Sequence, residues 1–173
     1  MSGVARLGQC RAGAAAVEMA LVAPLLLALL FGSVELGKYF LDQHVVVKAV
    51  RDGARFAARQ PISSFIDASA GCADIADQLV AEQTRNVVRA GNLSGSGARL
   101  AYWTDPDTVT VTSTCSAAAG GEALGGLYAG EDSGGAPVVT ISVTLPYRSL
   151  FGFVPFADKL AVRADHQAVV TGR

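Results

Sequence analysis

The sequence predicts an α+β protein in which a long N-terminal membrane-spanning helix continues into an amphipathic stalk that packs on a small antiparallel sheet. Three observations predict this class. Residues 12–34 form an apolar run in which Glu18 is the single ionisable side chain. Apolar residues at helical spacing, with charged residues between them, follow this run as far as Arg59. Strand patterns then dominate the C-terminal half of the chain.

Composition already excludes several classes of protein. The chain has 173 residues, of which 51% are hydrophobic and 17% are charged, and its mean hydropathy is +0.37. These values exclude a disordered polyelectrolyte, and the length allows one domain plus an appendage. Lys and Arg total 14 against 15 Asp and Glu. The charge balance therefore gives no reason to expect nucleic acid as a partner.

The apolar run is long enough to cross a bilayer. At 1.5 Å per residue, residues 12–34 extend about 34 Å, which matches the ~30 Å hydrocarbon core. A cleaved secretory signal is the main competing interpretation, because Arg6 and Arg11 precede the run. No small-residue cleavage site follows the run, so we favour a spanning helix. Basic residues lie on both sides of it, and the positive-inside rule therefore leaves the orientation open.

Two residues inside the span are unusual for a plain anchor. A carboxylate within an apolar helix costs about 2.5 to 3.5 kcal/mol. Glu18 either lies near the helix end and reaches the interface or has a partner. Pro24 removes one intrahelical hydrogen bond and predicts a bend in the helix at this point.

The helical pattern continues beyond the span, and we predict one helix over residues 14–59. It ends there because the residue ahead of Pro61 disfavours helical backbone. Arg51, Arg55 and Arg59 form a basic stripe, which is either a solvated face or a docking surface. The predicted apolar face of this stalk consists of Leu36, Phe40, Val47, Val50, Ala54 and Ala57.

A second helix and several strands make up the rest of the chain. Asp74 is the predicted cap of this helix, and Gly91 is its predicted end. Residues 99–104 and 109–115 alternate around a turn at 105–107 and predict a hairpin.

The last part of the chain combines a loop with two more strands. Residues 119–136 contain seven glycines and predict a long loop. Residues 138–145 and 160–170 predict further strands. The apolar cluster between them either packs under the sheet as part of the core, which we favour, or forms a subunit contact; it consists of Phe151, Phe153, Val154 and Phe156.

The N-terminal motif resembles that of a known family. Gly13 is followed by Ala14, and the acid Glu18 is the fifth residue after the glycine, with a basic leader before it and the apolar run after it. This arrangement resembles the prepilin processing site of type IV pilins and pseudopilins. The stretch GAAAVEMALVAPLLLALLFGSVELGKYF, with AVRDGARFAA at 49–58, resembles the TadE-like minor pilins of tight-adherence (Tad/Flp) pilus systems.

The resemblance implies a pilin-like fold, a processing step and a topology. A prepilin peptidase would cut between Gly13 and Ala14 on the cytoplasmic side, where glycine lets the backbone lie extended in a protease cleft. Glu18 would then neutralise the terminal amine of a neighbouring subunit. The implied organisation of the chain is a leader at 1–13, a transmembrane helix at 14–34, a helical stalk at 35–60 and an extracytoplasmic, periplasmic α+β domain at 61–173.

The resemblance also implies a function and partners. The protein would be a minor pilin that acts in assembling a type IV pilus used for cell adhesion. Its partners would be the inner membrane, the prepilin peptidase, other minor pilins and the pilus assembly platform, with no nucleic acid, metal or cofactor. The chain has no GxSxG or HExxH motif, so we do not expect an enzyme. The alternative is a single-pass membrane-anchored extracytoplasmic binding or sensor module, which needs neither Gly13 nor Glu18.

The cysteines give a further expectation about compartment. Cys10 belongs to the leader, which leaves Cys72 and Cys115 as a pair in the body. In an oxidising periplasm these two would form a disulfide that stabilises the body by about 4 kcal/mol, and the alternative is two buried free thiols.

Overall fold

The computed structural model describes residues 11–66, 75, 77–116, 125–128, 135–152 and 159–172. The chain divides into two compact units, the first ending at Lys38 and the second beginning at Tyr39. Helix α1 (Arg11–Ala57) contributes its N-terminal part to the first unit and its C-terminal part to the second. The predicted long N-terminal helix and the predicted α+β class are therefore confirmed.

The second unit combines two helices with one sheet. Helix α2 (Gln78–Ala90) follows α1, and the strands are β1 (Val109–Ser116), β2 (Ala136–Pro146) and β3 (Ala161–Val169). The strand order is β1-β2-β3, with both pairs antiparallel. Short 3-10 turns lie at Ile62–Phe65, Pro106–Thr108 and Gly126–Tyr128.

The core lies against one face of this sheet. Side chains alternate in direction along a strand, so β2 buries every second residue. Val139, Ile141 and Val143 are each at most 1% exposed, whereas Thr140 and Ser142 between them are half-buried. The predicted strands at 138–145 and 160–170 are confirmed as β2 and β3.

The apolar face predicted for the stalk is wrong in its N-terminal half. Leu36 and Phe40 are 55% and 53% exposed, and Val47 is only half-buried. The buried side of α1 instead consists of Val46, Ala49, Val50, Gly53, Ala54 and Ala57. This side is the one that α2 and the sheet cover, and which side they cover is set by tertiary packing rather than by the helical period alone.

The predicted hairpin of residues 99–104 with 109–115 is also wrong. Residues 99–104 form no strand, and β1 pairs instead with β2, from Val109 opposite Val143 to Ser116 opposite Ala136. Trp103 is fully buried, and its indole Nε1 donates to Thr108 Oγ1 at 2.7 Å. Burial of this large ring in a turn outweighs the strand propensity of its neighbours.

Helix α2 begins and ends with side-chain and backbone caps. Asp77 is its N-cap and accepts a hydrogen bond from the Leu79 N–H at 2.9 Å, so it takes the place predicted for Asp74. Asp74 itself lies outside the described residues. Gly91 ends the helix in the left-handed conformation with φ of 79°, as the sequence predicted.

The predictions for the apolar cluster at 151–156 and for the loop at 119–136 can be compared with the structure only at their described residues. Phe151 is 37% exposed, so it is not part of the core, and residues 153–158 with the other members of its cluster lie outside the described residues. Within the predicted loop at 119–136, the Tyr128 hydroxyl of the described 3-10 turn donates to the Val170 carbonyl. This contact ties the loop to the end of β3.

Candidate functional site

The processing and assembly residues predicted from the sequence all lie on α1 within the first unit. Gly13, Ala14, Glu18 and Pro24 are exposed, and the helix continues through the proline. From Gly13 onward α1 contains a window of mean hydropathy 2.3, none of which is buried. Among the described residues, this is the one helix long and apolar enough to cross a membrane.

Large apolar side chains cover the surface of this part of α1. Leu21 is 73% exposed, Leu29 is 63% exposed and Met19 is 62% exposed. Soluble monomers rarely expose a contiguous apolar surface of this kind. The surface is therefore consistent with a single membrane anchor.

Glu18 interrupts that apolar surface. Its side chain is exposed and makes no hydrogen bond or ion pair within the part of the chain that the structure describes. At 3.6 residues per turn it lies about one turn beyond Ala14 on the same side of α1.

Gly13 has no structural reason to be glycine. A Cβ at this position would meet no atom within 4 Å, and the residue is not among those with positive φ. Glycine inside a helix lowers its stability relative to alanine by roughly 0.5 to 1 kcal/mol. Among the described residues, no contact therefore requires glycine at this position.

Cys115 is the described member of the predicted disulfide pair. It lies half-buried on β1 and is disulfide-bonded. Cys72 and Cys10 lie outside the described residues. The pairing of Cys72 with Cys115 therefore stays a prediction.

Two acidic residues of α1 attach the stalk to the segment that follows α2. Asp42, only 6% exposed, accepts a hydrogen bond from the Tyr102 hydroxyl at 2.7 Å. Burial, together with this hydrogen bond, raises the pKa of Tyr102 well above its ordinary value. Asp52 Oδ2 lies 3.0 Å from Nη2 of Arg99. The sequence pattern did not predict either contact, because the partners lie 60 and 47 residues apart in the chain.

We find no cluster of side chains that could bind a metal ion among the described residues. Within the described ranges, no group of three or more His, Cys, Asp or Glu is placed to hold a metal ion. His44 and His166 are both exposed. A cavity of about 320 Å³ lies near one end of the sheet, between Tyr102 and Tyr147, with Asp105 and Arg148 in its lining.

These features together define a class of protein. An apolar N-terminal helix, suited to a membrane anchor, leads into a unit with a three-stranded antiparallel sheet, which is a pilin-like arrangement. Residues 13–55 match the model of the family described as TadE-like protein. The chain is therefore TadE-like over this segment, which confirms the resemblance predicted from its sequence. No curated protein and no solved structure matches the chain.

Proposed function

We propose that the protein is a non-enzymatic minor pilin, or pseudopilin, that acts in the assembly of a tight-adherence type IV pilus. The observation that carries the proposal is the spacing of Gly13, Ala14 and Glu18 at the start of an exposed apolar helix. This spacing lies inside the TadE-like segment.

The first step is processing of the precursor. A prepilin peptidase hydrolyses the peptide bond between Gly13 and Ala14, which removes the basic leader with Arg6 and Arg11 and frees an amine at Ala14. The open space around Gly13 supports this step, because the fold itself gives no reason for a glycine there.

The second step is anchoring in the inner membrane. Residues 14–34 cross the bilayer once, with the N-terminus in the cytoplasm and the stalk at 35–60 and the domain at 61–173 in the periplasm. The exposed leucines of α1 support this arrangement, since lipid gives them an apolar environment.

The third step is assembly with other subunits. Glu18 of one subunit pairs with the terminal amine of a neighbour, because a carboxylate with a partner is far less costly in the apolar phase than an isolated one. The processed subunit then enters the filament, or contacts other minor pilins and the assembly platform at the membrane.

Cleavage is tested by producing the full chain with and without a prepilin peptidase and sequencing the N-terminus of the membrane-bound product. We expect the product to begin at Ala14 only when the peptidase is present. Gly13→Val should block cleavage, whereas Gly32→Val should not, although a Cβ meets open space at both glycines.

An uncut wild-type chain in the presence of active peptidase would contradict the proposal. That result would favour the alternative, a single-pass membrane-anchored extracytoplasmic binding or sensor module. A chain cut at another bond would also contradict it.

A further inference from the structure

The C-terminal part of α1 carries a line of exposed cations, which we call the cationic row. It consists of Lys48, Arg51 and Arg55, with His44 one turn before it. At about 100° per residue these positions fall within about 60° of the helix circumference. The row therefore follows the helix axis for about 10 Å from Lys48 to Arg55.

The row lines a shallow groove between side chains of one helix face, and every residue that borders this groove belongs to α1. A cavity of about 410 Å³ is bordered by the cationic row and by His44, Val47 and Asp52. Asp52, the acid among these residues, is held at 3.0 Å by Arg99, whose guanidinium also donates to the Val87 carbonyl at 3.2 Å. The three cations of the row have no ion-pair partner among the described residues.

Packing fixes the direction in which the row points. The opposite side of α1 is fully buried at Val50 and Ala54, and Gly53 lies against Val88. Rotation of the helix about its axis would expose these core residues, so the cations cannot turn towards other partners. Like charges three and four residues apart destabilise a helix, and an anion in the groove would offset that repulsion.

We propose that the cationic row is a docking site for an acidic segment of a partner protein, with carboxylates spaced along α1. Arg guanidinium groups bind carboxylates in a planar, two-pronged geometry, so two of the three cations are well suited to this ligand. Acidic side chains one helical turn apart would repeat at about 5.4 Å and match the axial spacing of the row.

Charge complementarity favours this occupant over a second copy of the chain. A peptide lying along the helix contacts all three cations. The described part of this chain presents no comparable row of carboxylates, so a second copy is not the expected occupant. The inference does not depend on cleavage at Gly13, because the groove lies in the second unit.

The test measures binding of a fluorescent twelve-residue polyglutamate peptide to the full chain in non-ionic detergent, by fluorescence anisotropy. A polyglutamine peptide of the same length is the ligand control. We expect polyglutamate alone to bind, with an affinity that falls as salt is raised, because exposed charges are screened.

Variants with equal loss of charge locate the site. The triple variant Lys48→Gln, Arg51→Gln, Arg55→Gln should weaken binding by about tenfold or more. The matched control changes three exposed cations elsewhere in the second unit, Arg148→Gln, Lys159→Gln and Arg163→Gln, and should weaken it less than about twofold. Both triples change only exposed side chains, and equal thermal unfolding midpoints would verify that each is folded.

Two results would overturn the proposal. Polyglutamate fails to bind the wild-type chain, or both triple variants weaken binding equally and so reveal attraction to net charge alone.

Discussion

Gly53 lies at a close approach between α1 and α2. A Cβ at this position would overlap the Val88 γ-methyl group and lie 3.4 Å from Ile141 Cδ1. Val88 and Ile141 are both fully buried, so neither has free space to move into. A glycine that weakens the helix locally is kept here because it allows the two helices to pack.

Gly53→Ala should therefore lower the free energy of unfolding by about 1 to 3 kcal/mol, through overpacking against Val88. The matched control is Gly37→Ala in the same helix, where a Cβ meets nothing within 4 Å. The control should leave stability unchanged or raise it by up to about 1 kcal/mol. Urea unfolding in detergent, followed by circular dichroism, measures both, and equal effects would contradict the packing argument.

At Glu18 the decisive property is charge rather than shape. Glu18→Gln keeps the size of the side chain and removes the carboxylate, so we expect membrane insertion to be kept and pilus assembly to be lost. Glu82→Gln makes the same change at an exposed site on α2 and should leave assembly intact. Immunoblots of membrane fractions and electron microscopy of cell-surface pili provide the two measurements. Normal pili with Gln at position 18 would remove the proposed charge pairing.

At the scale of elements, helix α1 is tied to β3 at both ends of the strand. Gln43 Nε2 donates to the Arg163 carbonyl at 2.8 Å, and Tyr39 contacts the Ala161 carbonyl at 3.5 Å. Beyond the C-terminal end of β3, the Thr171 N–H donates to the Ala58 carbonyl at 2.8 Å. Because β3 is an edge strand, the contacts from Gln43 and Tyr39 also occupy two backbone carbonyls of β3 that would otherwise be open to another chain.

The contact between α1 and the segment after α2 predicts a pH dependence. Burial and the Asp42 carboxylate favour the protonated form of Tyr102 and raise its pKa above the ordinary value of 10.0. Above about pH 10 the unfolded chain therefore loses a proton that the folded chain keeps, so this contribution to stability is complete below pH 10 and declines as pH rises above it.

Tyr102→Phe should abolish the contribution of this phenol to stability. The free energy of unfolding of the variant should therefore fall less steeply between about pH 9.5 and 11 than that of the wild type. Tyr128→Phe is the control for the loss of one phenol. Urea unfolding at a series of pH values measures the slope. A slope unchanged by Tyr102→Phe would show that the phenol does not carry the pH dependence.

At the scale of the whole molecule, the predicted disulfide would link β1 to the segment that precedes α2. Cys72→Ser, Cys115→Ser and the double variant should each lose the same free energy of unfolding, about 4 kcal/mol, because each removes one bond. Cys10→Ser is the control and should change nothing. Two free thiols in wild-type protein taken from the periplasmic side of the membrane would contradict the pairing.

Patterns of neighbouring residues predicted part of the fold correctly. The predictions that are wrong concern segments that had more than one available partner or cap. The alternation of β2 and the stop at Gly91 depend on neighbours in sequence, so they were predicted correctly. The predicted hairpin is wrong because β1 had two available partners, residues 99–104 and β2. The burial of Trp103 in a turn removed the first of them. The N-cap was placed at Asp74 rather than Asp77 because two acids near the helix start offer similar caps in sequence.

The amino-acid sequence by itself determined the long apolar helix and the spacing of Gly13 and Glu18 that allies the chain with TadE-like proteins, since length, hydropathy and short motifs are properties of consecutive residues. Only the tertiary structure decided which side of the stalk is buried and that β1 pairs with β2. It also decided that Asp42 and Asp52 contact the segment after α2. These features depend on contacts between residues far apart in the chain, whose free energies no local pattern encodes.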